Sequence, residues 1–185
     1  MNINSVKFSL LLVLSILFNT VVIGQNERLQ NLIKELQTAS TDSAKVYLNI
    51  ELGYYYQNVN QSKALEYFNN SLEAAKRSND SLQIANIHYG MGYTYLLLSE
   101  LPDALENYLE ALRKYEDLND TYRLVNTHLS IANVYLSNND LQKQAEYLDS
   151  AENLLIIEND SIQLSSFYIS KGTIYDKRNE LDSAV

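Results

Sequence analysis

A forty-residue period is the feature of this sequence that most restricts its fold. Small residues, tyrosines and Asn-Asp pairs all recur at it: Gly92, Ala132 and Gly172; Tyr95, Tyr135 and Tyr175; and the pairs at 79–80, 119–120 and 159–160. A fixed period of this length is typical of stacked helical units, each of which buries its apolar face only against its neighbours. Within each period the apolar residues are spaced by three and four, as on one face of a helix. The sequence therefore predicts an all-α solenoid of helix pairs.

Composition excludes several classes of function. The 185 residues carry a formal net charge of -9, include a single proline and are 46% hydrophobic, which is enough for a continuous helical core. Such an acidic surface repels phosphates, so nucleic acids and anionic lipids are poor partners. Cysteine is absent, which excludes disulfides and thiolate chemistry.

The first 24 residues have the layout of a secretory signal peptide. Lys7 provides a short basic start, an apolar run follows from Phe8 to Phe18, and Gly24 ends a stretch of small or modest residues. We expect cleavage near Gly24, with a mature protein that begins near Gln25 and is exported, periplasmic or extracytoplasmic. The alternative is an N-terminal membrane anchor, for which the run is shorter than the ~20 residues that a spanning helix needs.

The remaining chain divides into a lid and four repeats. Residues 25–41 predict a capping helix, because Leu29, Leu32, Ile33 and Leu36 fall on one helical face. The repeats are placed at 42–79, 80–119, 120–159 and 160–185. The fourth repeat is truncated, with its second helix beginning at 181–184. This truncation leads us to expect further chain beyond Val185.

The second repeat carries a recognisable motif. It is built from His88, Met91, Gly92 and Tyr95, followed by Ala104, Tyr108 and Ala111. The set resembles the tetratricopeptide repeat, whose pattern is W-x₂-L-G-x₂-Y and then A-x₃-F. The equivalent residues are Gly53, Tyr56, Ala64, Phe68 and Ser71 in the first repeat, and Ala132, Tyr135, Gln144, Leu148 and Ala151 in the third. The resemblance implies antiparallel helix pairs in a right-handed superhelix.

Packing explains why these residue types recur. Gly92, Ala132 and Gly172 predict close crossings between paired helices, since glycine in mid-helix otherwise costs about 1 kcal/mol. The tyrosines three residues after each small residue, together with Tyr56, are assigned to the core. Asp80, Asp120 and Asp160 are predicted helix N-caps. His88 and His128 occupy the tryptophan slot of the motif, so we interpret them as packing residues and expect no metal site and no cofactor.

The resemblance also implies which residues face the concave groove, because first helices line it in this family. The main candidates are Tyr47, Ile50, Tyr54, Asn86, Tyr89, Tyr93, Asn126, Leu129 and Asn133. Gln57, Leu96, Leu136, Ser166, Ile169, Thr173 and Asp176 occupy equivalent positions. This lining is aromatic and rich in amides, and it contains no Lys or Arg, which disfavours a carboxylate clamp. It suits a peptide, although fifteen tyrosines also admit a purely compositional explanation.

No catalytic motif is present, so we expect a binding module and not an enzyme. The period and its Asn-Asp connectors resemble an exported bacterial subgroup in which such repeats precede a membrane helix and a histidine kinase or regulator. That resemblance implies the sensing or recognition part of a signalling protein, with contact to the membrane only through the signal segment or a further downstream region. A free-standing envelope scaffold or adaptor is the alternative.

Overall fold

The computed structural model describes residues 27–158 and 161–183, and it is helical almost throughout. The helices in chain order are α1 (27–38), α2 (Asp42–Tyr56), α3 (Gln61–Ser78), α4 (Ser81–Leu97), α5 (Leu101–Asp117), α6 (Thr121–Ser137), α7 (Leu141–Glu158) and α8 (Ser161–Ser183). These residues include no strand. The predicted all-α solenoid is therefore confirmed. None of the described helices has the length and apolar character needed to cross a bilayer, and the segment 1–24 lies outside the described residues.

Neighbouring helices pair and the pairs stack in sequence order. The most extensive contacts join α2 to α3, α4 to α5 and α6 to α7. Each second helix then packs on the next first helix, α3 on α4 and α5 on α6. The first helices also touch one another across the stack, since α2 contacts α4, α4 contacts α6, and α6 contacts α8. The pairs α2–α3, α4–α5 and α6–α7 thus bury their apolar faces against their neighbours.

Glycine permits an aromatic ring to enter each of the first two crossings. A Cβ atom added to Gly53 would lie 2.6 Å from the ring of Phe68, and one added to Gly92 would lie 2.8 Å from the ring of Tyr108. Both rings belong to the second helix of the pair and are fully buried. Gly90 plays the same part between repeats, because a Cβ there would lie 2.8 Å from Phe68. The close crossings are confirmed for Gly53 and Gly92.

Gly172 departs from this prediction. An added Cβ would meet no atom within 4 Å, because α8 continues as one helix to Ser183 and none of the described residues folds back over it. The second helix that we expected to begin at 181 is therefore absent within the described residues. Tyr175, assigned to the core from the sequence, is 38% exposed for the same reason. Tyr135 is buried as expected, whereas Tyr56 and Tyr95 are partly buried at the edge of the core.

Four connections between helices, from the α3–α4 turn to the α6–α7 turn, repeat one geometry. Asn79, Ser99, Asn119 and Asn139 all have positive φ, between 54° and 61°. At Asn79 the backbone N–H donates to the carbonyl of Lys76, and the N–H of Asp80 donates to that of Ala75. This pair of hydrogen bonds is the Schellman motif, which closes the C-terminus of a helix. Asp80 then accepts from the N–H of Gln83 and so begins the next helix.

The N-cap prediction holds at Asp80 and Asp120, and the same geometry occurs at a position that the forty-residue period does not mark. Asp120 accepts from the N–H of Arg123, whereas Asp160 lies outside the described residues. Asp140, which is in the middle of the third repeat, also caps a helix by accepting from the N–H of Lys143 at 3.1 Å. The turn geometry therefore recurs at twenty residues, which is half the sequence period.

The capping helix was expected to cover the first repeat, and α1 lies beside α2. The guanidinium of Arg28 pairs with the carboxylate of Glu51 at 2.7 Å. Leu32 shares a shallow cavity with Tyr54 and Val59. The polar outer face of α1 is thus turned away from the stack.

A candidate peptide-binding groove

A pocket of about 310 Å³ opens where three successive first helices meet. We call it the tyrosine pocket, and it is lined by Ile50, Tyr54, Asn86, Tyr89, Tyr115, Tyr122, Arg123 and Asn126. Five of these residues, Ile50, Tyr54, Asn86, Tyr89 and Asn126, belong to the groove expected from the sequence. They come from α2, α4 and α6, which the stack brings side by side.

Two hydrogen-bonded tyrosine hydroxyls, of Tyr89 and Tyr115, belong to residues that line the tyrosine pocket. The hydroxyl of Tyr115 donates to Oδ1 of Asn86 at 2.8 Å. The hydroxyls of Tyr89 and Ser130 lie 3.0 Å apart. Burial raises the pKa of Tyr115 and that of Tyr89, because it penalises the phenolate form. These groups therefore remain neutral hydrogen-bonding groups over the physiological range of pH.

The outer wall presents aromatic surface to solvent. Tyr122 is 60% exposed and Tyr54 is 42% exposed. The ring of Tyr54 packs edge-on against Phe68 at a centroid distance of 5.4 Å, which fixes its orientation. Rings held in this way offer contact area at a low entropic cost when a ligand binds.

Arg123 corrects the expectation that the groove contains no basic residue. Its guanidinium lines the tyrosine pocket, where it forms an ion pair with the carboxylate of Asp120. The same carboxylate caps α6. The positive charge is thus balanced locally, and the pocket has no uncompensated charge among its lining residues.

A second pocket continues the groove toward α8. We call it the amide pocket, and its lining is Tyr89, Asn126, Leu129, Ser130, Asn133, Ser170, Thr173 and Ile174. It also measures about 310 Å³ and shares Tyr89 and Asn126 with the tyrosine pocket. None of its lining residues carries a formal charge. The two pockets together form one groove over α2, α4, α6 and α8.

Other candidates from the sequence lie elsewhere. Tyr47 and Tyr93 are exposed but line neither pocket. Gln57 is buried, and its Nε2 donates to the carbonyl of Gly90 at 2.8 Å and to Oγ1 of Thr94 at 3.0 Å. It therefore joins two repeats and does not face the groove. Leu136 is likewise buried in the core.

The remaining groove candidates from the sequence lie in α8 and at the end of α4. Thr173 lines the amide pocket, whereas Ile169 and Asp176 are exposed and line neither pocket. Leu96 is half-buried against the core. The side chain of Ser166 lies outside the described part of the molecule.

Sequence reasoning missed Tyr115, Tyr122, Arg123, Ser130, Ser170 and Ile174. Tyr115 reaches the pocket from a second helix, and Tyr122 and Arg123 from the first turn of α6. The motif register does not mark these positions. The one available signal was the position of Tyr122 and Arg123 just after the cap at Asp120, one helical turn before Asn126.

The two histidines are packing residues in different surroundings. Nδ1 of His88 lies 3.0 Å from Oδ1 of Asn107. The ring of His128 packs against Tyr147 at a centroid distance of 5.7 Å, and its Nδ1 has no hydrogen-bond partner among the described residues. Burial lowers the pKa of His128. In the described part of the chain, no three metal-ligating side chains come together.

This stack of helix pairs, with a groove along its first helices, defines a helical-repeat protein. Residues 42–117 match the family model described as Tetratricopeptide repeat. The match covers helices α2 to α5, the first two helix pairs of the stack. A search of curated proteins gives no significant match.

Solved structures share the fold at low sequence identity. The TPR domain of Arabidopsis FLU has 18% identity and a TM-score of 0.58, and the alignment covers 64% of this chain and 99% of that one. BtubC from P. vanneervenii has 18% identity and a TM-score of 0.64, over 90% and 74% of the two chains. The apo form of RapI has 16% identity and a TM-score of 0.66, over 82% of this chain and 56% of its own.

Proposed function

We propose that this protein is a non-catalytic module that binds a protein or peptide partner in the groove formed by the tyrosine and amide pockets. Tetratricopeptide repeats generally mediate protein–protein interaction. The observation that carries the proposal is that Tyr54, Tyr89 and Tyr122 line one open pocket. They come from α2, α4 and α6, the first helices of three successive pairs. Aromatic side chains at the centre of a pocket are typical of binding hot spots.

The lining fits a flexible segment better than a folded surface. Side chains of Asn126 and Asn133 carry both a donor and an acceptor and suit the peptide backbone. Among the described residues neither amide side chain has a hydrogen-bond partner, whereas that of Asn86 donates to Gln83 and accepts from Tyr115. Two pockets of about 310 Å³ each accommodate side chains of a bound segment.

A biological role as the sensing or recognition part of an exported bacterial signalling protein follows from two features of the sequence. Residues 1–24 have the layout of a signal peptide, and Asn-Asp connectors recur every forty residues. A free-standing envelope scaffold or adaptor is the second candidate. The gene beyond Val185 separates them: an apolar run of ~20 residues followed by a signalling domain supports the sensor.

The groove is tested with selected peptides. A random peptide library is panned on immobilised protein comprising residues 25–185, and the affinity of each selected peptide is measured by fluorescence anisotropy. The double variant Tyr122→Ala, Asn133→Ala removes one ring and one amide from the groove, and we expect binding to weaken by roughly thirtyfold, equivalent to ~2 kcal/mol.

The matched control places two substitutions on the outer helix α5. Glu106→Ala with Glu110→Ala should leave the affinity within about twofold. If the outer changes abolish binding and the groove changes do not, the proposed site is wrong, and the convex face is the binding surface.

A further inference from the structure

We infer that α8 is a separable wall of the groove, held against α7 by an ion pair that salt weakens, so that ionic strength controls whether the amide pocket is complete. The part of this inference that concerns ligand binding rests on the proposed function. The part that concerns the docking of α8 rests on a change of residue type at two positions that are apolar in the preceding repeats.

Two positions recur at each junction between a second helix and the next first helix. At the α3–α4 and α5–α6 junctions they hold buried apolar residues of the core, which are Leu72 with Met91 and Leu112 with Ile131. Forty residues further on, the same two positions hold Glu152 of α7 and Lys171 of α8. The α7–α8 junction thus has an ion pair where the two preceding junctions have apolar side chains.

Three side chains form this contact, and we call them the ionic junction: Glu152, Tyr168 and Lys171. The ammonium of Lys171 donates to Oε2 of Glu152, and the hydroxyl of Tyr168 donates to Oε1 at 2.7 Å. These bonds hold the pKa of Glu152 below its ordinary value, so the carboxylate is charged at neutral pH. The side chains of Lys171 and Glu152 are 17% and 23% exposed, which leaves the pair within reach of dissolved ions.

Salt acts differently on this junction and on the two before it. Dissolved ions screen the attraction between charges, since the Debye length falls from about 30 Å at 0.01 M to about 3 Å at 1 M ionic strength. They do not screen the burial of apolar surface. The buried apolar residues of α8 are Phe167 and Ile174, which belong to two separate clusters on either side of Lys171 in the sequence. The docking of α8 should therefore depend on salt more than that of α4 or α6.

The position of α8 connects this junction to the groove. Ser170, Thr173 and Ile174 of α8 line the amide pocket, and its other lining residues come from α4 and α6. The tyrosine pocket receives none of its lining from α8. Separation of α8 from α7 and α6 would therefore dismantle the amide pocket and leave the tyrosine pocket in place.

Hydrogen exchange of α8, measured by mass spectrometry with α4 of the same molecule as the reference, tests the docking. Raising sodium chloride from about 0.02 M to about 0.5 M should speed the exchange of α8 about fivefold and change that of α4 by less than about twofold. Equal exchange of α8 at the two salt concentrations would overturn the inference.

Variants assign the salt response to the ionic junction. Glu152→Leu leaves the charge of Lys171 without its partner, so the exchange of α8 should become about tenfold faster. Adding Lys171→Ile recreates the apolar pair of the α5–α6 junction, which should restore slow exchange and abolish the salt response. The exchange of α4 shows in each variant that the rest of the stack is folded.

The matched control makes the same two changes in an exposed ion pair of α3. Glu73→Leu with Lys76→Ile removes a pair whose charged atoms are 3.6 Å apart, and it should leave the salt response of α8 as it is in the parent protein. A control that abolishes the response, or a Glu152→Leu, Lys171→Ile variant that keeps it, would contradict the assignment.

Binding is compared for two classes of peptide selected from the library. One class is weakened by Asn133→Ala, in the amide pocket, and the other by Tyr122→Ala, in the tyrosine pocket. Glu152→Leu should weaken the first class by about threefold or more and the second by less than about twofold, because apparent affinity is proportional to the fraction of molecules with a complete site. Equal weakening of both classes would contradict the role of α8 in the amide pocket.

The outcomes separate this inference from the proposed function. If peptides need the groove but the exchange of α8 does not respond to salt, the ionic control is wrong and the binding groove stands. If α8 responds as expected but no peptide depends on Tyr122 or Asn133, the proposed function fails and the ionic docking of α8 stands.

Discussion

Single residues decide how closely the paired helices approach. The sequence predicts the small residues at Gly53 and Gly92, because the repeat pattern marks them, but it does not show which ring adjoins them. The ring that fills the space comes from Phe68 or Tyr108 on the partner helix, and not from the tyrosine three residues later. A pattern along one helix does not reveal which neighbour enters a cleft between two helices.

The glycine contacts predict opposite effects for one substitution at two sites. Gly92→Ala should destabilise the protein by roughly 1–3 kcal/mol, because its Cβ would overlap the buried ring of Tyr108. Gly172→Ala meets open space and should be neutral or stabilising by up to ~1 kcal/mol through helix propensity. The free energy of unfolding in urea measures both. Equal destabilisation at the two sites would mean that the crossing is misplaced.

His128 predicts a dependence of stability on pH. In the second repeat, His88 lies within hydrogen-bond distance of Asn107. The position forty residues later holds Tyr147, so His128 packs against a ring where His88 meets an amide. Its pKa is lowered by burial, so the unfolded chain binds a proton before the folded protein does. Stability should therefore be greatest above about pH 6.5 and fall as the pH drops below that value.

The variant His128→Phe checks this assignment. It removes the titrating group and keeps a ring against Tyr147, so the slope of unfolding free energy against pH, just below about pH 6.5, should become shallower. A slope unchanged from that of the parent protein would assign the effect to other groups.

At the scale of the element, helix boundaries were readable because polar capping residues recur with the repeat. Asp80 and Asp120 cap as the sequence predicts. The sequence did not show that Ser99 and Asn139 adopt positive φ after the preceding helix. That conformation depends on the turn and not on a common residue type. The groove shows the same limit: Asn86 and Asn126 follow from the register, whereas Tyr115 enters it from a second helix.

The connector between α5 and α6 predicts a ranking of variants. Asn119 has φ 54°, a conformation that costs a β-carbon-bearing residue without a short amide about 1–2 kcal/mol. Asn119→Ala should therefore destabilise the protein by about 1 kcal/mol, whereas Asn119→Gly should be nearly neutral. Thermal unfolding of both variants, with Asp117→Ala on the exposed end of α5 as the control, tests the turn. Glycine and alanine variants of equal stability would contradict it.

At the scale of the whole molecule, the pairs differ in how many neighbours they have. The pair α4–α5 packs between α3 and α6, so both of its faces are covered. Among the described helices, α8 packs on α6 and α7, and its residue Ile169 is 74% exposed. The forty-residue period predicts the stack but not this difference, because each repeat has nearly the same sequence pattern whatever covers it.

This difference in packing between α4–α5 and α8 predicts the order in which the helices open locally. Amide hydrogens in α4 and α5, such as those of Ile87 and Tyr108, should exchange much more slowly than those of Ile169 and Gly172 in α8. Hydrogen-exchange mass spectrometry at neutral pH measures the ranking. Uniform protection from α2 to α8 would indicate a single cooperative unit in place of nearest-neighbour stacking.

The left-handed residues at 79, 99, 119 and 139 have a consequence for how such a chain can change its length. Each marks one reversal of chain direction, so inserting or deleting twenty residues would invert the direction of every later helix and exchange inner for outer surfaces. A change of forty residues restores both. Because the closing hydrogen bonds at each turn are local, duplication in steps of forty requires no new contacts beyond the usual neighbour. Changes in the length of such an array therefore preserve the groove when they add or remove whole helix pairs.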